Sequence, residues 1–153
     1  MRQLYVFVSN AQLVRTLVEK EVRFIVVGGL AVHYYAQERI VRDLDLLVQQ
    51  TQDNAQRLFS ALAAEHLTPH FSMDLISEPT DRPQQLPLKD IHYADLLTPG
   101  KAIDFETEWD RANIAQIHSH HVRIASRDLL LAMKRNTGRQ RDIDDVLLLQ
   151  SGV

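Results

Sequence analysis

Asp43 and Asp45 stand two residues apart in the run Asp43-Leu44-Asp45-Leu46-Leu47-Val48, whose apolar character is that of a strand. Side chains alternate along a strand, so both carboxylates project to one side while Leu44 and Leu46 face the other. Two carboxylates sharing one site repel and raise each other's pKa unless a cation neutralises them, and hard oxygen donors suit Mg2+ or Mn2+. Spacing alone does not carry this reading. The 13 aspartates among 153 residues give roughly one such pair by chance, and Asp142-Ile143-Asp144 is a second. The preceding segment supplies the context. Gly28-Gly29 ends the apolar run Phe24-Ile25-Val26-Val27 and opens a helix, a place where free N–H groups and the positive end of the helix dipole favour phosphate. Arg39 and Arg42, just before the acidic strand, add guanidinium groups suited to phosphate oxygens.

Other candidates carry less. Lys134, Arg135, Arg139 and Arg141 form a basic cluster with Asp142, Asp144 and Asp145 close behind, the pattern of a solvated, self-paired charge run. Asp142 is a candidate to orient one of these cations. His118, His120 and His121 complete no zinc spacing and read as a polar hairpin before Val122. Tyr34, Tyr35 and Trp109 could stack a base, but large aromatics mostly pack in cores. There is no nucleophile elbow, Walker loop or dinucleotide fingerprint.

The elements that must position these residues alternate at the start. Leu13, Val14, Leu17, Val18 and Val22 have helical spacing behind the cap candidates Ser9-Asn10. A buried strand over 24–27, a helix over 30–37, the acidic strand and a helix through Ala55, Leu58, Phe59, Leu62 and Ala63 follow. Residues 76–90 hold Pro79, Pro83 and Pro87 among polar residues and read as a long surface loop. Next come a strand over 91–97, a short helix over 105–114, a strand over 122–125, and two closing helices. The first closing helix runs from Ser126 to Gly138; the second carries Ile143, Val146, Leu147 and Gln150 on one face. The expected architecture is α/β (α+β), a small mixed sheet flanked by helices with a C-terminal helix pair.

The length, 153 residues, suits one domain, and 45% hydrophobic with 24% charged residues is the composition of a folding globular chain. A net charge of -3 argues against a protein that grips duplex phosphates over a broad surface. The absence of cysteine excludes disulfides, thiolate nucleophiles and cysteine zinc sites. No apolar run is long enough for a signal peptide or a membrane span, so the cytoplasm is the expected location.

The segments Phe24-Ile-Val-Val-Gly-Gly-Leu-Ala-Val and Arg39-Ile-Val-Arg-Asp43-Leu-Asp45-Leu-Leu-Val together resemble the DNA polymerase β-like nucleotidyltransferase superfamily, particularly its short prokaryotic members. Ala94-Asp95-Leu-Leu-Thr, Phe105 to Ala112, and Ser126 to Lys134 with Gly138 to Asp145 resemble segments of toxin-antitoxin (abortive-infection type) nucleotidyltransferases. The resemblance runs from about Val22 to Leu149. It implies the nucleotidyltransferase fold, and Asp43 and Asp45 as metal ligands completed by a third carboxylate on a neighbouring strand. Asp95 takes that role, with Asp104 as its competitor, because Phe105 to Ala112 aligns better as the helix after the third-aspartate strand. Lys134 would reach the triphosphate beside Gly28, Gly29, Arg39 and Arg42. The implied reaction moves a nucleoside monophosphate from a nucleoside triphosphate to a hydroxyl of a transfer RNA or other RNA, a partner protein or a small molecule, with Mg2+ or Mn2+. The rival expectation is a degenerate nucleotide-binding or partner-binding module. A homodimer or a cognate partner chain would help to hold a large acceptor. The chain departs from the superfamily pattern at Gly29, where Ser is frequent, and at Val41, where Thr is frequent; these bear on donor affinity and selectivity.

Overall fold

The computed structural model describes residues 1–41, 43–88, 90 and 93–151. The elements run β1 (Gln3–Leu4), α1 (Val8–Glu19), β2 (Phe24–Val27), α2 (Gly28–Tyr35), β3 (Leu44–Val48), α3 (Gln52–Ala64) and α4 (Asp74–Ser77). Then come β4 (Gln84–Pro87), β5 (Ala94–Thr98), α5 (Phe105–Arg111), β6 (Asn113–Ile117), β7 (His120–Ile124), α6 (Arg127–Lys134) and α7 (Gln140–Ser151). The strands form one mixed sheet in the order β1-β6-β7-β2-β3-β5-β4. Strand β2 pairs antiparallel with β3 and parallel with β7, while β3 pairs parallel with β5. All four β2 residues are buried, as expected of an uninterrupted apolar strand covered on both faces.

Local chemistry explains most element ends. The Thr51 hydroxyl accepts from the Asn54 N–H at the start of α3, and the Ser126 hydroxyl accepts from the Leu129 N–H at the start of α6. Helix α1 differs from expectation: it begins at Val8, its N-cap position is Phe7, and Asn10 is buried within its first turn. Helix α6 stops at Lys134, four residues before Gly138, which sits in the following loop at φ 77°.

Three strands were not anticipated. The expected loop over 76–90 contains β4, an edge strand antiparallel to β5, in which only Leu86 is buried. A four-residue strand with one inward residue has too short an alternation to register in sequence, and its Pro87 is tolerated because it lies at the sheet edge. Strand β6 begins at Asn113, inside the range expected to be helical, and β1 is only two residues long. Helix α7 is rotated from expectation: Asp142, Asp145 and Leu149 face inward, while Ile143 and Leu147 are exposed. Among the described residues no helix is long and apolar enough to cross a membrane.

Candidate active site

The antiparallel β2–β3 and parallel β3–β5 pairings bring the end of β2 and the beginnings of β3 and β5 to one margin of the sheet. There Val27 is opposite Asp45, and Asp45 is the register partner of Asp95. Gly28, the next residue, has φ 67°, and a Cβ on it would lie 2.1 Å from Asp45 Oδ2. Only glycine combines that left-handed backbone with that closeness. The glycine turn and the acidic strand are therefore packed directly against one another.

A cavity of roughly 670 Å³ at this margin is lined by Gly28, Gly29, Arg39, Asp43, Asp45, Asp95 and Lys134. These seven were singled out in sequence from four separate stretches, and the fold brings them to one wall. Arg42 lies outside the described residues. Asp104, the competitor for the third carboxylate, is elsewhere: it caps α5 by accepting from the Thr107 N–H and lines a different cavity. Tyr34, Tyr35 and Trp109 do not line the site; Tyr34 and Tyr35 pack edge to face, and the Arg23 and Arg123 guanidinium groups lie 4.6 and 4.1 Å from the Trp109 ring centroid. His118 and His120 belong to the β6–β7 hairpin, with His118 in its turn at φ 54°.

Burial, then the charges of Asp95 and Asp43, push the Asp45 carboxyl up from 3.8 to about 7, against the opposing pull of Lys134 and Arg141. This is an acidic cluster short of positive charge. Its donors, all carboxylate oxygens, fit a hard divalent cation, whose binding would reverse the shift. Among the described residues no three acidic or histidine side chains converge into a ready coordination shell. Two of the carboxylates have other partners: Gln85 Nε2 donates to Asp95 Oδ2 at 2.6 Å, and Asp43, 44% exposed, has Arg141 Nη1 at 3.9 Å.

The cations of the site have carboxylate partners in Asp142, which the sequence offers as an orienting residue, and Asp145, which it does not single out. Asp145, 1% exposed, receives Arg39 Nε at 2.7 Å and has Lys134 Nζ at 3.0 Å. Asp142 holds Lys134 at 3.4 Å and Arg139 at 2.8 Å, so its expected orienting role matches a real contact. Burial works to raise the Asp142 pKa, but the Thr137 hydroxyl, Lys134 and Arg139 outweigh it and hold the carboxyl below its ordinary value. The available signal was the three-residue spacing of Asp142 and Asp145, which puts them on one helix face. Arg39 also donates to the Ile40 carbonyl, and its Nη2 would be 3.0 Å from a Cβ on Gly29. The guanidinium thus lies against the glycine turn. Gln85 carries no signal in sequence, because β4 is four residues long with one buried side chain and has no period to mark it.

No protein-family model and no curated protein matches the sequence. Solved structures do match. The lincosamide antibiotic adenylyltransferase LnuA, in its lincomycin-bound crystal structure, aligns with a TM-score of 0.60 at 15% identity over 95% of this chain and 98% of that one. An antigenic nucleotidyltransferase-like protein from Paracoccidioides brasiliensis aligns with a TM-score of 0.54 at 15% identity over 92% of this chain and 74% of that one. At that identity the likeness is one of architecture, and it establishes that this seven-stranded mixed sheet with its flanking helices is a nucleotidyltransferase fold.

Proposed function

We propose that the chain moves a nucleoside monophosphate from a nucleoside triphosphate to a hydroxyl acceptor, with Asp43, Asp45 and Asp95 as ligands for Mg2+ or Mn2+. One observation carries this reading: Asp45 stands in register with Asp95 and against the Gly28 turn, in a cavity that Arg39 and Lys134 also line. The turn and the start of α2 receive phosphate oxygens, and Arg39 and Lys134 offset their charge. The acceptor oxygen bonds to the α-phosphorus as the bridge to the β-phosphate breaks and pyrophosphate leaves. Asp95, oriented by Gln85, takes the hydroxyl proton and passes it to solvent. A divalent ion held by Asp43, Asp45 and Asp95 would supply charge neutralisation at the reacting phosphate, and alignment by the chain's own residues provides most of the remaining acceleration.

The test is incubation with each labelled nucleoside triphosphate, magnesium and separate acceptors, with Asp45→Asn as control. Bulk transfer RNA and cell extract are included because of the toxin-antitoxin resemblance, and lincomycin because of the LnuA complex. Label transfer by the wild type and none by Asp45→Asn is expected; transfer that survives the substitution rejects the mechanism. A second reading, a nucleotide-binding or partner-binding module without turnover, is favoured by the internal pairing of Arg39 and Lys134 with Asp145. Nucleotide binding with no transfer to any acceptor would decide for it.

A further inference from the structure

A second cavity, of roughly 840 Å³, opens beside the first between α5, α6 and the β4–β5 edge. Gln85, Leu97 and Met133 line both. Gln85 and Leu97 are register partners, and Leu97 follows Asp95 by two residues, on the same face of β5. Gln85 is also the residue that donates to Asp95. The Asp95 carboxylate lines the first cavity and is hydrogen-bonded to Gln85 of the wall the two cavities share. The size lies within the range of about 300 to 1,000 Å³ typical of small-molecule sites.

The lining has two parts. Leu97, Ile103, Leu129 and Met133 give an apolar surface. Asp104, Glu108 and Asp128 add three carboxylates against one guanidinium, Arg111, a formal charge of -2. Arg111 is already paired, 3.4 Å from Glu108 and 3.7 Å from Asp128. A phosphate-rich acceptor entering here would meet carboxylates and no uncommitted cation of this lining. A molecule with an apolar body and a positive charge matches both parts.

We propose that this second cavity is the acceptor subsite and takes a small organic cation, an amino alcohol with an apolar body, whose hydroxyl is presented at Asp95. The inference rests on nucleotidyl transfer at the first cavity. The hydroxyl oxygen forms the bond to the α-phosphorus, the α–β bridge breaks with departure of pyrophosphate, and the proton goes to Asp95 and then to solvent. The ammonium stays with the carboxylates of the second cavity and takes no part in bond making.

Calorimetric titration of the full chain with two matched pairs tests this: propranolol against 3-(1-naphthyloxy)propane-1,2-diol, and norephedrine against 1-phenylpropan-1-ol. The amines are expected to bind about tenfold tighter than their amine-free partners. Asp128→Asn should narrow that gap. Ala132 lines the cavity from an exposed position on α6, so Ala132→Trp should abolish binding while leaving the melting temperature unchanged. Equal affinity within each pair, or binding that persists in Ala132→Trp, overturns the proposal. The same amines are then offered as acceptors of labelled nucleotide beside bulk transfer RNA. Transfer to RNA without amine binding overturns the acceptor assignment alone. Amine binding without transfer to any acceptor overturns the assignment together with the reaction.

Discussion

Arg39 Nε donates to Asp145 Oδ1 at 2.7 Å, tying the segment between α2 and β3 to the inner face of α7. Lys134 of α6 approaches the same carboxylate, so one buried anion fixes two cations of the cavity wall. Removing one member of a buried ion pair leaves uncompensated charge behind. Asp145→Ala should therefore lower stability by about 3 kcal/mol, read from urea unfolding. A loss no larger than that of an exposed charge deletion would show that Arg39 and Lys134 do not depend on it.

Gly28 and Gly29 should differ sharply in their tolerance of alanine. At Gly28 the φ of 67° and the Asp45 carboxylate 2.1 Å from an added Cβ both oppose it, and the carboxylate must move. Gly28→Ala is expected to destabilise by about 2 kcal/mol and to abolish nucleotide transfer. At Gly29 the neighbour is the far end of the Arg39 side chain at 3.0 Å, which can shift, so Gly29→Ala should weaken nucleotide affinity and leave stability nearly unchanged. Parallel melting curves and nucleotide titrations of the two variants would show whether this order holds.

The Asp45 shift predicts a pH dependence of opposite sign to that of an ion-paired carboxylate. Because the folded pKa of about 7 lies above the ordinary 3.8, the native state holds the proton more tightly than the unfolded chain does. The resulting stability is full below about pH 4 and is lost as pH rises through 7, amounting to at most about 4 kcal/mol. In a chelator, the urea midpoint should fall between pH 5 and pH 8 in the wild type and fall much less in Asp45→Asn. Magnesium, binding the deprotonated carboxylates, should raise the wild-type midpoint at pH 8. Identical pH profiles for the two proteins would show that Asp45 is not the group responsible.

Gln85 connects the β4 edge to Asp95 through a single 2.6 Å hydrogen bond from an exposed position. Gln85→Ala should leave the melting temperature unchanged and reduce the rate of transfer about tenfold or more, the scale of losing one oriented contact to a working carboxylate. Full activity in this variant would remove Gln85 from the mechanism.

The rotation of α7 can be checked by two leucines. Leu149 is fully buried and Leu147 is 60% exposed. Leu149→Ala should cost about 3 kcal/mol, in the range for buried leucine truncations, and Leu147→Lys less than about 0.5 kcal/mol. Comparable losses in the two variants would contradict the inward placement of Asp142 and Asp145.

Sequence alone determined the parts governed by near neighbours in the chain. The apolar run 24–27, the alternation through Leu44 and Leu46 and the helical stripe through Leu58 and Leu62 are local patterns, and each corresponds to an element of the mixed sheet or its flanking helices. Tertiary structure decided which residues meet. Asp45 and Asp95 are 50 positions apart and become register partners only because β3 and β5 pair in parallel. Strand β4 exists because β5 offers it an edge, so no local pattern announced Gln85. On α7 the apolar stripe of Ile143 and Leu147 pointed to the wrong face, because a buried carboxylate with two cationic partners from other elements can occupy the inner side in its place. Periodicity records hydrophobicity, whereas the pairing of distant charges depends on where the chain brings them.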